Sequence, residues 1–412
     1  MNAVDWLEAL QAGQLERFEE NFHAFLTSHD EDEMYTLATG LVSLGFLTEG
    51  KQLFEELYKR LPDESILLIN LAEILLDEGE EEEAVLLLER ISSDDDCYLN
   101  ALLLLAECYE SFDMPEVSEA KLRLAYEMAP NEPIIQFAYA EILFLHGDLR
   151  AAIPIYQKMN LAAFNHVSIV GRIAESLAIL GDYQEALTYF HQIDEFGQNM
   201  NLLFLYGLTA YSLQEYDLAR RQLLTLIEKD KEYQTAYFYL AKIAEQEQDF
   251  AQALQFAHDG LKINNQNKEL KLVVAENYVR LNRNQEAVAL LQEIIAFDSN
   301  YMEAILLLAK LYLQLEDFEA AIALASTDDE DDPQFAWILA TAYVGLEEFD
   351  QAAQYFEAAA KFFAENIQFL EEYSQFLIEE GKPKKAKSAL EKLVELDPLN
   401  TDAQDLLERL ED

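Results

Sequence analysis

The sequence predicts an all-α fold: a solenoid of about eleven helix-turn-helix units with capping helices at both ends. A similar segment recurs about every 34 residues along the 412-residue chain, and each copy holds two small residues twelve positions apart. Glycine and proline are scarce, at 13 and 8. Hydrophobic residues make up 51% of the chain, which is enough to bury a core. Self-similarity at this period is typical of stacked helical repeats.

The first small residue of each copy fixes the register of the repeat. Its successive spacings are 34, 34, 34, 34, 33, 34, 34, 34, 31 and 34 residues. The series is Ala38, Ala72, Ala106, Ala140, Ala174, Gly207, Ala241, Ala275, Ala309, Ala340 and Ser374. The second series, twelve residues later, is Gly50, Ala84, Ser118, Ala152, Ala186, Ala219, Ala253, Ala287, Ala321, Ala352 and Ala386. Small side chains allow close approach, so each copy predicts two helices that cross at this pair.

Nine of the eleven copies carry a large apolar residue at a fixed place, and every copy carries a turn at another. Four positions after the second small residue stand Phe54, Leu88, Leu122, Tyr156, Phe190, Leu223, Leu291, Phe356 and Leu390. The turn between the helices begins at Gly45, Gly79, Gly147, Gly181 and Gly381. In the other copies Asp113, Gln214, Gln248, Asn282, Glu316 and Glu347 take that place. Glycine there predicts a left-handed exit from the first helix.

This pattern resembles the tetratricopeptide repeat (TPR), a 34-residue helix-turn-helix unit with small residues at positions 8 and 20 and an apolar residue at position 24. The resemblance covers about residues 31–398. It implies eleven consecutive TPR units stacked into a right-handed α-solenoid, as in long bacterial proteins built from TPRs alone. Such arrays serve many unrelated systems, so the function has to be argued from the residues on their surfaces.

Residues 1–30 and 399–412 flank the repeats and are predicted to cap them. Gly13, with Phe18, Phe22 and Phe25 at helical spacing after it, predicts a degenerate N-terminal hairpin. Thr401 and Gln404 form a T-x-x-Q pattern that predicts a capping box at the start of a last helix. Caps are expected because an end repeat would otherwise expose its apolar face.

The single 31-residue spacing coincides with an acidic run at residues 328–332, followed by Pro333. This shortening predicts that the second helix of the repeat ends about one turn early. We interpret the run as a solvated acidic linker, because it lacks the alternating ligands and the glycine of an EF-hand loop. A hinge and a divalent-ion loop are the alternatives.

Charge and composition restrict the location and the partners. The chain has 28 Lys and Arg against 79 Asp and Glu, a formal charge of −51, which disfavours nucleic acids and anionic membranes. No apolar run is long enough for membrane insertion, and Asp5 and Glu8 do not suit an export signal. Two cysteines, Cys97 and Cys108, suit a reducing compartment. We therefore expect a cytoplasmic protein with a basic or amphipathic protein partner.

In TPR proteins the first helices line a concave groove, and the resemblance implies that positions 2, 5, 9 and 12 point into it. The predicted partner-binding residues are Tyr35, Ile69, Glu73, Leu103, Glu107, Phe137, Glu141, Phe144, Glu175, Phe204, Tyr211, Phe238, Glu276 and Trp337. A row of carboxylates beside an apolar stripe suits an amphipathic segment that carries Lys or Arg. The alternative is that position 5 packs in the core and the glutamates are solvated helix formers.

The sequence favours a protein that is not an enzyme. The histidines show no i, i+4 pairing, and no phosphate-binding loop, nucleophile elbow or dinucleotide fingerprint occurs, so no metal or cofactor is expected. We expect a protein-interaction scaffold or adaptor that binds a peptide or protein segment in its groove. A chaperone-like holder of basic clients is one alternative, and an enzyme with an unrecognised site is another.

Overall fold

Paired helices follow one another along the chain, as the 34-residue period predicts. The computed structural model describes residues 2–13, 18–27, 30–193, 196, 199–325 and 332–411, and the chain divides into two units, Met1–Gly197 and Gln198–Asp412. The helices of unit 1 are α1 (Ala3–Gln11), α2 (Phe18–Leu26), α3 (Glu31–Ser43), α4 (Leu47–Arg60), α5 (Ser65–Glu78), α6 (Glu81–Leu88), α7 (Tyr98–Ser111), α8 (Pro115–Met128), α9 (Pro133–Leu145), α10 (Leu149–Met159), α11 (Ile169–Ile179) and α12 (Tyr183–Phe190).

Unit 2 continues the same alternation. Its helices are α13 (Met200–Ser212), α14 (Tyr216–Lys229), α15 (Gln234–Gln246), α16 (Phe250–Ile263), α17 (Lys268–Arg280), α18 (Asn284–Phe297), α19 (Met302–Gln314), α20 (Phe318–Ala325), α21 (Pro333–Gly345), α22 (Phe349–Ala359), α23 (Ile367–Glu379), α24 (Pro383–Leu396) and α25 (Thr401–Glu411). From α3 to α24 each odd-numbered helix packs against the even-numbered helix that follows it, and we call these the first and second helices of a pair. The predicted all-α class is confirmed.

The two helices of a pair approach each other at the small residues. All members of both small-residue series are buried. At Gly50, an added Cβ would come within 2.5 Å of the Val42 side chain and 3.3 Å of the Ala38 carbonyl oxygen. At Gly207, it would come within 2.9 Å of Leu223. The backbones are therefore too close for a larger side chain, and the large residues four positions further on fill the core around the crossing.

Every predicted turn residue adopts the left-handed conformation, whether or not it is glycine. Gly45 has φ +86° and Gly381 has φ +64°, while the non-glycine turn residues cluster near φ +60°. Hydrogen bonds close these turns, for example from the backbone N–H of Asp249 to the carbonyl of Ala244 at 2.9 Å. A left-handed residue with this bond ends the first helix and reverses the chain into the second.

The ends of the chain carry the predicted capping helices, with one correction. In the N-terminal hairpin, Trp6 is buried and its ring stacks on Phe25 at 5.5 Å. At the other end, the predicted capping box at Thr401 is wrong: the side chain of Asn400 accepts the N–H of Ala403 at 3.0 Å, and Thr401 is the first helical residue. Asparagine is among the best N-cap residues, so it takes the cap one position earlier.

A short β-hairpin, which the repeat pattern does not predict, follows α10. Strand β1 (Ala163–Phe164) pairs antiparallel with strand β2 (Val167–Ser168). The two residues between them, Asn165 and His166, both have positive φ, as in a type I′ turn. Helix α10 ends at Met159, and the hairpin lies in the connection between this second helix and the next first helix. It leads directly into α11.

Most of the acidic run lies outside the described residues. Residues 326–331 are not described, so the early end of the second helix, the hinge and the ion loop stay predictions there. Asp332 is described, and its side chain accepts the N–H of Gln334 at 2.7 Å. The last acidic residue of the run therefore caps α21, directly before Pro333 at the first helical position.

The packing predicts that enlarging a crossing residue destabilises the fold. Ala241 is fully buried, so Ala241→Leu should lower the stability by about 1–3 kcal/mol through overpacking. Ala251 is exposed on the adjacent second helix, and Ala251→Leu adds the same atoms without filling the core. Thermal unfolding followed by circular dichroism should show a lower midpoint for Ala241→Leu alone. Equal midpoints for both variants would contradict close crossing at this residue.

Candidate functional site

The predicted partner-binding residues lie on the first helices. Positions are counted so that the first small residue of each repeat is position 8, and the first-helix face of a unit denotes the surface that positions 5, 6, 9 and 12 of its first helices form. Glu73 and Glu107 are exposed. The half-buried members are Tyr35, Leu103, Phe137, Glu141, Phe144, Glu175, Phe204, Tyr211, Phe238, Glu276 and Trp337.

Ile69 is at position 5 but is buried, so it adds no exposed surface to this face. It is 2% exposed and lies in a core cluster with residues of both α5 and α7, so its side chain has no surface for a partner. Two other predicted residues are partly covered by the chain itself: Leu103 packs against the cluster around Leu102, and the ring of Phe137 lies 5.1 Å from Phe164 of the β-hairpin. Position 5 therefore serves core packing as well as the surface.

Position 6 was absent from the predicted binding positions, yet its side chains reach back to the preceding repeat. The amide Nδ2 of Asn70 donates to the hydroxyl of Tyr35 at 3.2 Å. Glu372 accepts the indole N–H of Trp337 at 2.8 Å. Arg172 holds the same position in its own repeat. Residue type is the sequence signal that could have identified position 6. A polar or charged side chain stands there, 31 or 35 residues after a residue with which it can form a hydrogen bond or an ion pair.

Arg172 organises a network on the first-helix face of unit 1. Its guanidinium donates to both oxygens of Glu141, at 3.0 and 2.9 Å, and to Glu175 at 3.4 Å. Its Cζ lies 4.3 Å from the ring centre of Phe144, and the hydroxyl of Tyr156 also donates to Glu141. Burial raises the pKa of Glu175, although Arg172 opposes that rise. Glu141 and Glu175 are thus paired within the chain, so this part of the carboxylate row already has a cation.

Glu276 in unit 2 is paired in a similar way. Lys242 lies 2.8 Å from Glu276 and 2.9 Å from Glu245. The side chain of Glu245 is 3% exposed and also accepts the amide of Asn277 at 2.6 Å. Burial alone would lower the pKa of Lys242, but the hydrogen bonds and charges of the two glutamates outweigh it and raise that pKa. Glu276 therefore has a cation from its own chain.

Glu73 and Glu107 differ from the other glutamates. Both are exposed, on α5 and α7, and within the described part of the chain neither forms an ion pair with a Lys, Arg or His. The pKa of Glu73 is raised, first by partial desolvation of its carboxylate and then by the charges of Asp77 and Glu107. These three acidic residues form an uncompensated negative site, which we call the acidic patch.

Aromatic side chains gather on the first-helix face of unit 2. Three predicted residues, Phe204, Tyr211 and Phe238, surround Tyr239, with ring centres 5.8, 5.1 and 5.3 Å from it. Tyr216 lies 5.9 Å from Tyr211. All five are half-buried. Tyr239 is another position-6 residue that the sequence prediction omitted. Half-buried aromatic rings with polar edges are common at protein interfaces.

A cavity of about 650 Å³ opens beside Trp337, and we call it the Trp337 cavity. Residues of α19, α21 and α23, together with Phe363 and Asn366 that precede α23, line it. The Trp337 ring packs against Phe363 at 5.3 Å, and Glu372 accepts the indole N–H at one side. Its volume lies in the range of about 300–1,000 Å³ that is usual for binding sites.

The chain is similar to known tetratricopeptide repeat proteins. Profiles of YpiA-like tetratricopeptide repeats match residues 111–162, and those of YpiA-like C-terminal repeats match residues 333–400. Two general TPR profiles match residues 35–96, 205–267, 244–301 and 282–342. Over 389 residues the chain is 34% identical to the TPR repeat-containing protein YpiA of Bacillus subtilis (strain 168), covering 93% of this chain and 92% of that protein. The chain belongs to the YpiA-like family of TPR proteins.

Three more distant similarities, to one protein sequence and two solved structures, give no information on function. The BBSome complex member BBS4 of Bos taurus is 21% identical over 187 residues, 45% of this chain and 36% of that protein. The match to the crystal structure of the APC/C hetero-tetramer Cut9–Hcn1 covers 99% of this chain and 96% of the matched chain, with a TM-score of 0.47 and 14% identity. The match to YrrB, described as a TPR protein with an unusual peptide-binding site, covers 44% of this chain and 96% of the matched chain, with a TM-score of 0.37 and 16% identity. No binding property is transferred from these proteins.

Membership of the YpiA-like family gives a general function. TPR proteins mediate contacts between proteins, and their arrays typically serve as scaffolds rather than as enzymes. Among the described helices none is long and apolar enough to cross a membrane. Nor do three His, Cys, Asp or Glu side chains come together as a metal site within the described ranges.

The Arg172 network predicts a loss of stability when its cation is removed. Arg172→Met leaves Glu141 and Glu175 half-buried without a counter-charge, and we expect a cost of about 1–3 kcal/mol, since the group is partly exposed. Arg150→Met is the matched control, because Arg150 is exposed. Thermal midpoints at pH 7 measure both effects. If both variants unfold at the same midpoint, the network does not stabilise the chain.

The acidic patch predicts a stabilising substitution whose effect depends on pH. Because the pKa of Glu73 is raised in the folded chain, its ionised form opposes folding above that pKa, and the cost disappears below the usual value of 4.5. Glu73→Gln should therefore raise the thermal midpoint at pH 7 and leave it unchanged near pH 4. Glu82→Gln, at an exposed site on α6, should show no such difference. A lower midpoint for Glu73→Gln at pH 7 would contradict this account.

Proposed function

We propose that the chain is a non-enzymatic scaffold or adaptor that binds a segment of a partner protein on its first-helix faces. The partner segment is basic or amphipathic: its Lys or Arg side chains meet carboxylates, and its apolar side chains meet half-buried apolar and aromatic residues. The acidic patch of unit 1 is the observation that carries the proposal.

The acidic patch supports a basic partner because the chain leaves its charge uncompensated. Glu141, Glu175 and Glu276 each have a cation within 4 Å, whereas no described cation pairs with Glu73 or Glu107. Desolvation first, and then the charges of Asp77 and Glu107, raise the pKa of Glu73, and a Lys or Arg of a partner would relieve the repulsion among these charges. Such a contact adds electrostatic steering and selectivity.

Apolar surface lies on the same two helices as the patch. Leu76 of α5 and Leu104 of α7 are half-buried and pack against the same core cluster. An amphipathic helix or an extended segment that places cations beside apolar side chains would match this arrangement. The aromatic rings around Tyr239 offer comparable apolar surface in unit 2.

A cytoplasmic location is part of this proposal. Cys97 and Cys108 are both free thiols. Burial raises the pKa of Cys108 to about 11, so its thiol stays protonated and unreactive at neutral pH. A protein without a disulfide between these residues suits a reducing compartment.

Charge reversal tests the proposal. We expect the double variant Glu73→Lys/Glu107→Lys to lose its partner in capture from native lysate by about ten-fold or more, because like charges then meet. Glu82→Lys/Glu116→Lys is the matched control: it makes the same change of charge at exposed sites on the second helices α6 and α8. Quantitative mass spectrometry of the captured proteins measures the loss.

The comparison is made at two ionic strengths, below and above about 0.15 M. An adaptor retains one selective partner at both, and the control variant captures it as well as the original chain does. Capture of many basic proteins that salt releases would instead indicate the chaperone-like holder. Equal capture by both double variants would refute binding at the acidic patch.

A further inference from the structure

We propose that the Trp337 cavity binds an arginine or lysine side chain of a partner protein, with the side chain against the Trp337 and Phe363 rings and its charged end at Glu372. This inference rests on the proposed function, and it adds a specific anchoring site in unit 2 to the acidic patch of unit 1.

The chain itself shows how such a group is held. In unit 1 the guanidinium of Arg172 lies over the ring of Phe144 at 4.3 Å and binds both oxygens of Glu141. An aromatic ring supplies the attraction of its π face, and the adjacent carboxylate supplies charge and hydrogen-bond acceptors. The Trp337 cavity contains the same two kinds of group.

Hydrogen bonds hold the carboxylate of Glu372 in place in the cavity, and it can still accept a further hydrogen bond. Glu372 Oε2 accepts the indole N–H of Trp337 at 2.8 Å, and Oε1 accepts the amide of Gln368 at 3.2 Å. Thr341 Oγ1 lies 3.3 Å from Oε2, but it also lies 3.1 Å from the Trp337 carbonyl and has one proton to donate. A carboxylate has about four acceptor sites, so at least one stays open for a cation.

The described chain provides no cation for Glu372. None of its Lys, Arg or His side chains forms an ion pair with that carboxylate, so all its polar contacts are with neutral donors. Lys310 lines the cavity from α19 without pairing with Glu372 of α23. Residues 326–331, which precede α21 in sequence, contain no Lys or Arg. A charged carboxylate beside two aromatic rings is therefore complementary to a cation from another protein.

The remaining walls suit a short peptide around that cation. The volume of about 650 Å³ exceeds the needs of one side chain. Gln314, Gln334 and Gln368 carry amides that can pair with the N–H and C=O groups of a peptide backbone. The ammonium group of Lys310, which also lines the cavity, can donate to a peptide carbonyl. These groups orient the segment, and the Trp337 site selects its cationic residue.

The tryptophan content allows a direct experiment on the full chain. Trp6 and Trp337 are its two tryptophans, and Trp6 is buried in the N-terminal hairpin. Their indole N–H signals in a ¹H–¹⁵N NMR spectrum are assigned with Trp337→Phe. The probe is the blocked peptide Ac-Ala-Arg-Ala-NH₂, compared with the same peptide carrying citrulline, a neutral isostere of arginine, or glutamate.

We expect the arginine peptide to shift the Trp337 signal saturably and to leave the Trp6 signal in place. The citrulline peptide should bind at least about ten-fold more weakly, because its neutral urea group keeps N–H donors but loses the charge that attracts the Glu372 carboxylate. Glu372→Gln, which keeps the size of the side chain, should weaken arginine binding about ten-fold. Glu379→Gln, an exposed change on the same helix, should not.

Three results would overturn the inference: no shift of the Trp337 signal, equal binding of the arginine and citrulline peptides, or tighter binding of the glutamate peptide, which would make the cavity an anion site served by Lys310. The outcome is separable from that of the charge-reversal experiment. Loss of capture on reversal of Glu73 and Glu107 without arginine binding at Trp337 refutes the cavity alone. Arginine binding without selective capture refutes the scaffold proposal and leaves the cavity.

Discussion

Close approach of two helices at paired small residues is the constraint on which the rest of this structure depends. At Gly50 and Gly207 the backbones leave no room for even a Cβ without displacing a neighbouring side chain. The same crossing recurs in every pair, so each unit is a regular stack in which equivalent positions of successive first helices become neighbours. The surface chemistry follows from this regularity, because a side chain at position 6 can reach position 5 or 9 of the preceding repeat, as Asn70, Arg172 and Glu372 do.

Whether the chain supplies its own cation decides what each carboxylate on that face can do. Arg172 and Lys242 neutralise the glutamates beside them, so these networks serve stability and hold neighbouring repeats together. The acidic patch at Glu73 and Glu107 and the carboxylate of Glu372 have no such partner among the described residues. Under the proposed function, a chain with a formal charge of −51 binds its partner at the few sites where uncompensated charge lies beside apolar surface.

Periodicity predicted the fold well because it follows from steric limits that act within each repeat. The crossing residues, the core residues four positions later and the left-handed turns, including Glu316 and Glu347, are all confirmed. The site was predicted less well, because spacing on one helix does not specify which side chain reaches across from the next. For this reason the prediction placed Ile69 on the surface although it is buried in the core, and it omitted Arg172. The β-hairpin after α10 could not be predicted either, because the spacing between repeats stays at 34 residues there.

Hydrogen–deuterium exchange of the full chain, with and without the partner that it captures, tests the central claim most directly. Bound segments protect the helices that they contact, because binding stabilises the folded state locally. The account predicts new protection in the first helices, above all α5 and α7 around the acidic patch and α21 and α23 around the Trp337 cavity. Protection confined to the second helices α6, α8, α22 and α24 would contradict it.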